Sequence, residues 1–313
     1  MHTGNDPVAP PPLTVGVAGA GTMGVAVAQC LAGAGHDVIV TDPDRHALAT
    51  GPARLRDGAR AAVLLRKAPP DAPGTLPARV RWTDDPGDLA GASFVIECAP
   101  ERLPLKEELF RTLDAVCPPG AVLASCTSAI PVGRLAARTG RPDRVLGMHF
   151  MNPAYAKDAV EVIRGPHTGA GTLDRALGLL AGMGKHGIVV SDAPGFVSNR
   201  VLMATVNDAA AVVEAGTADA ATVDRVFQEC FGHAMGPLRT ADLIGLDTVV
   251  DSLDVLRTLT GDTRFTPCAL LARLVADGRL GRKSGQGFHS YPGRSGPGGS
   301  PSAEGAGHAI TAR

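Results

Sequence analysis

Between Leu13 and Val190 the apolar residues fall into short runs separated by segments of helical period. Leu13 to Ala18 is a β-branched run that opens on glycines, Val25 to Gly35 has helix spacing, and Asp37 to Thr41 is a second apolar run ending at Asp42. Short apolar runs bounded by turn residues read as buried strands, and apolar residues recurring every three or four positions read as a helix face. Strand, helix and strand within about 30 residues is the length of a βαβ unit. Further strands are predicted at Arg79 to Trp82, Phe94 to Cys98, Val122 to Ser125, Val145 to His149, Ala159 to Ile163 and Gly187 to Val190. Helical segments alternate with most of them, which predicts a doubly wound, mainly parallel sheet with helices on both faces. After Ser191-Asp192-Ala193-Pro194-Gly195 only helical periods occur, as in Asn199 to Ala215, Thr222 to Phe231 and Leu246 to Thr260. The fold class is therefore α/β, with the sheet domain at residues 13–193 and a smaller all-helical domain at 194–291. Residues 1–12 end in Ala9-Pro10-Pro11-Pro12, and residues 292–313 are rich in Gly, Ser and Pro without period, so both are expected to be disordered tails.

Composition narrows the function. The chain has 313 residues, 44% hydrophobic and 19% charged, enough for two domains with cores of their own. Thirty basic against thirty-one acidic residues leave a net charge of -1, which excludes a global cationic field for nucleic acid or an anionic membrane. No apolar stretch reaches the roughly 18 residues of a membrane span, and the N-terminus lacks the order of a signal peptide, so a cytoplasmic location is expected. Cys30, Cys98, Cys117, Cys126, Cys230 and Cys268 contain no CxxC pair, which argues against zinc or a disulfide framework and for reduced, mostly core thiols. No metal site is expected.

Gly19-Ala20-Gly21-Thr22-Met23-Gly24 fits G-x-G-x-x-G, directly after a strand and before a helix. In a Rossmann-type fold the first glycine makes the tight turn, the second lets a pyrophosphate approach the backbone at the helix N-terminus, and the third allows close helix packing. Asp42 follows about 20 residues on, where an acid accepts the ribose hydroxyls and repels a 2′-phosphate, so NAD is favoured over NADP. Arg45 is the one residue nearby that could answer such a phosphate. In a glycine-rich chain an isolated motif of this kind could be a plain turn; the strand, the helix and Asp42 in register argue for the cofactor.

Hydride chemistry needs a base for the alcohol proton, a group that holds the base, and donors for the oxygen. Among nine histidines, His149 closes a predicted strand at the carboxyl edge of the sheet, where ligands sit in such folds. Glu161 stands between apolar neighbours in Ala159-Val160-Glu161-Val162-Ile163 and requires a partner. Pairing it with His149 would fix the ring tautomer. On spacing alone, an outward-facing Glu on an edge strand and a structural His stay open.

At this point the chain resembles the 3-hydroxyacyl-CoA dehydrogenases over about Leu13 to Tyr291. The resemblance rests on Gly19 to Gly24, Glu97-Cys98-Ala99-Pro100-Glu101 with Lys106, Ser125-Cys126-Thr127-Ser128, His149-Phe150-Met151-Asn152-Pro153, Val160-Glu161-Val162, Pro194 to Arg200, Met235-Gly236-Pro237 and Gly281 to Phe288, in order and spacing. It implies that His149 is the catalytic base, Glu161 its acidic partner, and Ser128 and Asn199 the polar pair at the reacting oxygen, in a cleft between the domains. It further implies contacts of Glu101, Lys106, Ser128, Asn152 and Lys283 with the nicotinamide half of NAD, and a homodimer through the helical domain. Lys106 as an exposed helix charge and Lys283 as one more base of a cationic run remain the plainer alternatives.

The departures point to a branch of the family. Cys126 and Ala129 stand where the family usually has Asn and Ser, and Ala154-Tyr155-Ala156-Lys157-Asp158 puts a phenol and two charges near the acyl pocket. Gly58 and Leu65 occupy positions of polar CoA contacts, while Arg54, Arg56, Arg60, Arg66 and Lys67 leave a cationic stretch that could be a solvated helix face or a rim for an acidic partner. These features resemble the branch that oxidises glyceryl-acyl carrier protein to the semialdehyde in polyketide extender-unit biosynthesis. Ordinary 3-hydroxybutyryl-CoA oxidation is the enzymatic alternative, and a non-catalytic NAD-binding regulatory protein is the alternative of another class. The expected partners are therefore an acyl thioester on acyl carrier protein or CoA and a second copy of the chain, with no nucleic acid and no membrane.

Overall fold

The structure, a computed structural model, describes residues 12–291. Of the predicted tails, 1–12 and 292–313, all but Pro12 lies outside the described residues. The chain divides into two compact units between Arg200 and Val201.

The first unit is built on eight strands: β1 (Thr14–Ala18), β2 (Asp37–Thr41), β3 (Val80–Thr83), β4 (Phe94–Glu97), β5 (Val122–Ser125), β6 (Val145–Phe150), β7 (Ala159–Arg164) and β8 (His186–Ser191). They form one sheet in the order β3-β2-β1-β4-β5-β6-β7-β8. The first six are parallel, β7 turns back antiparallel on β6, and β8 is parallel to β7. Between the strands run α1 (Thr22–Gly33), α2 (Arg45–Leu64), α3 (Ala72–Thr75), α4 (Leu103–Val116), α5 (Val132–Ala136) and α6 (Ala170–Gly182).

Successive strand residues point to opposite faces, so a strand covered on both sides must be apolar throughout. Val15, Val17, Val38, Val40, Phe94, Ile96 and Val122 pack on one face with Val27, Leu31, Leu55 and Leu180 of α1, α2 and α6. Val95, Leu123, Val145 and Ile163 pack on the other with Phe110, Leu113 and Leu135 of α4 and α5. The chain leaves β1 towards β2 and returns at β4 on β1's other side. This reversal opens a crevice at the carboxyl ends of β1 and β4, the place where such sheets bind ligands.

The second unit continues α7 (Ser198–Glu214) and adds α8 (Ala220–Phe231), α9 (Pro237–Ile244), α10 (Leu246–Thr260) and α11 (Ala269–Ala276). Its core joins Met203, Val206 and Ala210 to Leu238, Val249, Leu253, Leu256, Phe265 and Leu271. Two buried acids tie its last segment down. Asp224 accepts the N–H groups of Leu238 and Arg239 at the start of α9 and contacts His289 Nε2 at 2.7 Å. Asp242 accepts the N–H groups of Phe288 and His289 and the Tyr291 hydroxyl. Among the described residues no helix is long and apolar enough to cross a membrane.

Candidate active site

The turn from β1 into α1 is shaped by its three glycines. Gly19 has φ +119°, and a Cβ there would lie 2.7 Å from the Cys98 carbonyl oxygen, so the glycine is required by the turn and by the approach of β4. A Cβ on Gly24 would lie 1.8 Å from Gly19 O. The third glycine is therefore needed chiefly by the carbonyl of the turn itself, more than by the strand behind the helix. Gly21 meets nothing within 4 Å, so its bareness has no cause inside the protein and leaves space for a ligand. Gly21 caps α1 without a side-chain bond, and the free N–H groups of the first turn offer a phosphate its donors. Thr22 is exposed, Met23 packs on the core, and Ala20 is buried.

Asp42 ends β2 beside this turn. Its Oδ2 accepts Ala20 N–H at 2.7 Å and its Oδ1 accepts Asp44 N–H at 2.8 Å, which holds the carboxylate against the glycine turn with one lone pair left on each oxygen. Arg45 is engaged by Asp84, Nε to Oδ2 at 3.0 Å, and so is turned to its own partner. Arg54 belongs to the same scaffold, its Nη2 donating to Ala20 O at 2.6 Å and Ala47 O at 3.1 Å.

At the other side of the crevice the antiparallel return of β7 sets His149 directly opposite Glu161. His149 Nδ1 lies 3.2 Å from Glu161 Oε2, and both residues are buried. Glu161 Oε1 accepts the N–H groups of Val197 at 2.9 Å and Ser198 at 3.1 Å, at the start of α7. Ser198 Oγ donates to Glu161 Oε2 and sits 3.3 Å from His149 Nδ1. Burial pushes the carboxyl up, but the bonds from His149, the Ser198 hydroxyl and two backbone N–H groups outweigh it and hold the pKa at about 2. An ionised Glu161 takes the proton on Nδ1 as its bond and leaves Nε2 with a lone pair. Phe196 tilts against the imidazole at 6.1 Å between ring centres. Ser198 stands in the Pro194 to Arg200 motif but the sequence reading gives it no role, although a Ser directly before a helical period is a helix-start signal.

Asn199 is buried, and its Nδ2 has no hydrogen-bond partner among the described residues. An orphaned buried donor beside Ser198 fits an oxygen that arrives with a ligand. Ser128 is half-buried in the loop after β5, whose conformation is set by Glu101: Oε1 accepts the N–H groups of Ser128 and Ala129, and the Thr127 hydroxyl. The structure corrects the plainer alternative for Lys106, an exposed helix charge. Lys106 is 1% exposed, and its Nζ reaches Glu97 Oε1 at 2.6 Å, Ala99 O at 2.9 Å and Glu101 Oε2 at 3.5 Å, which uses its three donors inside the protein. Burial pulls its pKa down, and the carboxylates of Glu97 and Glu101 more than reverse this. Ser125 Oγ completes the cluster by donating to Glu97 Oε2 at 2.6 Å. Asn152 is exposed after β6. Lys283 lies in the second unit, paired with Asp247 at 2.6 Å.

The cationic stretch is weaker than its sequence suggests. Arg54 faces inward, Arg60 pairs with Asp57, and Lys67 pairs with Asp158 at 2.7 Å, which leaves Arg56 and Arg66 exposed and without an ion pair among the described residues. Asp158 is thus committed to α2's end, and the Lys67 ammonium lowers its pKa. Tyr155 lines a cavity of about 330 Å³ with Cys30, Lys67 and Lys185, and Lys185 Nζ donates to Ala154 O and Lys157 O at 2.7 Å.

Comparison with known proteins adds the family context. Residues 14–193 match the family model described as 3-hydroxyacyl-CoA dehydrogenase, NAD binding domain, and residues 195–291 the one described as its C-terminal domain. A probable 3-hydroxybutyryl-CoA dehydrogenase of Bacillus subtilis is 42% identical over 276 residues, 88% of this chain and 96% of its own. Among solved structures, FadB2 of M. tuberculosis superposes with a TM-score of 0.85 at 37% identity, covering 90% of this chain and 100% of its own. The (S)-3-hydroxybutyryl-CoA dehydrogenase of Ralstonia eutropha gives 0.82 at 36% identity, covering 90% and 99%.

Proposed function

The chain belongs to the 3-hydroxyacyl-CoA dehydrogenase family, and from that membership and the geometry above we propose that His149 and Glu161 carry the oxidation of the 3-hydroxyl of an acyl thioester. The enzyme class is an NAD-dependent oxidoreductase acting on CH–OH. NAD supplies the hydride acceptor when bound, with Gly19 to Gly24 and Asp42 holding it.

The observation that carries the reading is the opposed His149–Glu161 pair. Nε2 of His149 accepts the hydroxyl proton as the carbon is oxidised, and the imidazolium that forms faces the ionised Glu161. Asn199 Nδ2 and Ser128 Oγ donate to the reacting oxygen, where charge develops. Glu101 keeps Ser128 in place, and Lys106 keeps Glu101 in place. A protein that only sensed NAD would have no use for a histidine clamped by a buried carboxylate. The test is reduction of NAD by 3-hydroxyacyl thioesters, with His149→Gln lowering kcat by about 10² to 10⁴ at unchanged NAD affinity.

For the carrier we propose acyl carrier protein, with a glyceryl unit oxidised at its primary alcohol to the semialdehyde. A specific feature supports this. At the end of α2, Leu64 is 84% and Leu65 55% exposed, flanked by Arg56, Arg60 and Arg66. A Cβ on Gly58 would lie 2.3 Å from Gln29 Oε1, so a side chain there would require the end of Gln29 to move. An apolar pair ringed by cations suits an acidic protein surface better than a nucleotide. The second reading, a CoA thioester, is favoured by the names of the relatives, which are 3-hydroxybutyryl-CoA dehydrogenases. The deciding measurement is kcat/KM for glyceryl-acyl carrier protein against 3-hydroxybutyryl-CoA. With the carrier, Arg56→Glu with Arg66→Glu should raise KM, leave kcat unchanged and blunt the salt dependence; a better CoA substrate would reverse the assignment.

A further inference from the structure

The carboxyl ends of β4 and β5 hold two cysteines for which the reaction above has no use. Glu97 and Ser125 form the last ladder pair of these strands, and Cys126 N–H still bonds Glu97 O at 2.7 Å one residue further on. Cys98 and Cys126 therefore start from neighbouring parallel strands, whose spacing of about 4.8 Å falls in the Cα separation of disulfides, about 4.4 to 6.8 Å. Their side chains share a face. Glu97 and Ser125 bond to each other on one side of the sheet, and the two cysteines both pack on the core cluster of the opposite side. The two thiols are close enough to perturb each other's ionisation. Both are free and, as whole residues, half-buried.

We propose that Cys98 and Cys126 are an oxidation site at which a hydroperoxide forms a reversible intramolecular disulfide that disables cofactor binding. The two thiols differ in the way such chemistry requires. The neighbouring Cys98 lowers the Cys126 pKa and burial opposes this. The neighbouring Cys126 and burial raise that of Cys98. Cys30 and Cys117, by contrast, are pushed up by burial to about 11. Cys126, the thiol held lower of the two, attacks, and Cys98 resolves. The Cys126 sulfur attacks one peroxide oxygen, the O–O bond breaks, and hydroxide leaves to take up a proton as water. Cys98 then attacks the resulting sulfenic sulfur, the S–O bond breaks, a second water leaves, and the S–S bond forms. Two thiols lose two electrons and two protons, and one hydrogen peroxide becomes two waters.

The position connects the bond to function. Cys98 N–H donates to Ala18 O at 2.7 Å, and the turn at Gly19 packs on the Cys98 carbonyl. Cys126 leads directly into Thr127 and Ser128. A disulfide there ties the strand under the glycine turn to the Ser128 loop.

The experiment treats the reduced full chain with graded hydrogen peroxide, alkylates the remaining thiols and maps the peptides. A Cys98–Cys126 linked peptide should appear before Cys30, Cys117 or Cys268 react. NAD affinity by calorimetry should fall at least tenfold in proportion, and dithiothreitol should restore it. In Cys98→Ala the sulfenic acid on Cys126 should be trapped by dimedone and no link should form; Cys98→Ser serves if the alanine variant does not fold. The proposal is overturned if no linked peptide appears once the exposed Cys230 has been consumed, or if NAD affinity stays constant while the link accumulates. The peptide readout is independent of the dehydrogenase reading, so failure of one leaves the other standing.

Discussion

Replacing Glu161 by Gln tests the site where geometry and energetics meet. The carboxylate takes four donors, two from backbone N–H groups, one from Ser198 Oγ and one from His149 Nδ1. Its pKa falls from 4.5 to about 2, and its side chain is 8% exposed, so solvent screens it little. A drop of that size corresponds to about 3 kcal/mol of stability from this group. Because the folded pKa is depressed, that contribution is complete above the unfolded value and is lost as pH falls towards the folded one. Nearly 2 kcal/mol of it should disappear between about pH 5 and pH 3. Gln keeps one acceptor oxygen. With that oxygen on the backbone N–H groups, its NH₂ faces His149 Nδ1 and demands the tautomer in which Nε2 carries the proton and cannot act as a base. The variant is therefore expected to lose 1 to 3 kcal/mol at neutral pH, roughly the worth of its charge-assisted bonds, and to lose the acid-linked part of the stability curve. Urea unfolding at several pH values measures both, and stopped-flow absorbance of the reduced nicotinamide should show a turnover lower by about 10² to 10⁴. Combined with His149→Gln the losses should not add, since the two residues act as a unit. A variant that keeps the acid slope, or turns over within about threefold of the parent, would refute the reasoning.

Other expectations follow from single contacts. Asp42→Ala should weaken NAD and improve NADP relative to it, if Asp42 holds the ribose of the cofactor as proposed, since Arg45 is already paired with Asp84; calorimetric titration of both cofactors decides, and equal affinities in the parent chain would contradict the assignment. Lys106→Met should cost roughly 3 to 5 kcal/mol by urea unfolding, because it strands Glu97, which is fully buried, without its partner. A loss below about 1 kcal/mol would contradict the pairing. The helical unit should pair with a second copy, as Val201, Val226, Phe231, Leu243 and Ile244 are exposed by 38 to 65%; a monomer at micromolar concentration by light scattering would count against it.

The strands and helices of this chain were legible because their signals are local. Asp37 to Thr41 and Val122 to Ser125 carry their apolar runs within themselves, and β2 and β5 begin and end there. The glycine turn with Asp42 was legible for the same reason, as a motif placed between a strand and a helix. His149 and Glu161 could be picked out singly, one at a strand end and one among apolar neighbours. Their contact could not be, since it depends on β7 running back antiparallel in a register that sets residue 149 against 161. Nothing in the period of either strand encodes that direction. The same holds for Ser198, brought to Glu161 from 37 positions away, for Lys106, whose helix looked exposed until the sheet closed over Glu97, and for Arg54 and Lys67, whose charges are taken up by Ala20 O and Asp158. Local sequence determined where each element lies and which atoms it can offer. Tertiary structure decided which of those atoms meet, because a polar group taken out of water must find its partner wherever the fold delivers one.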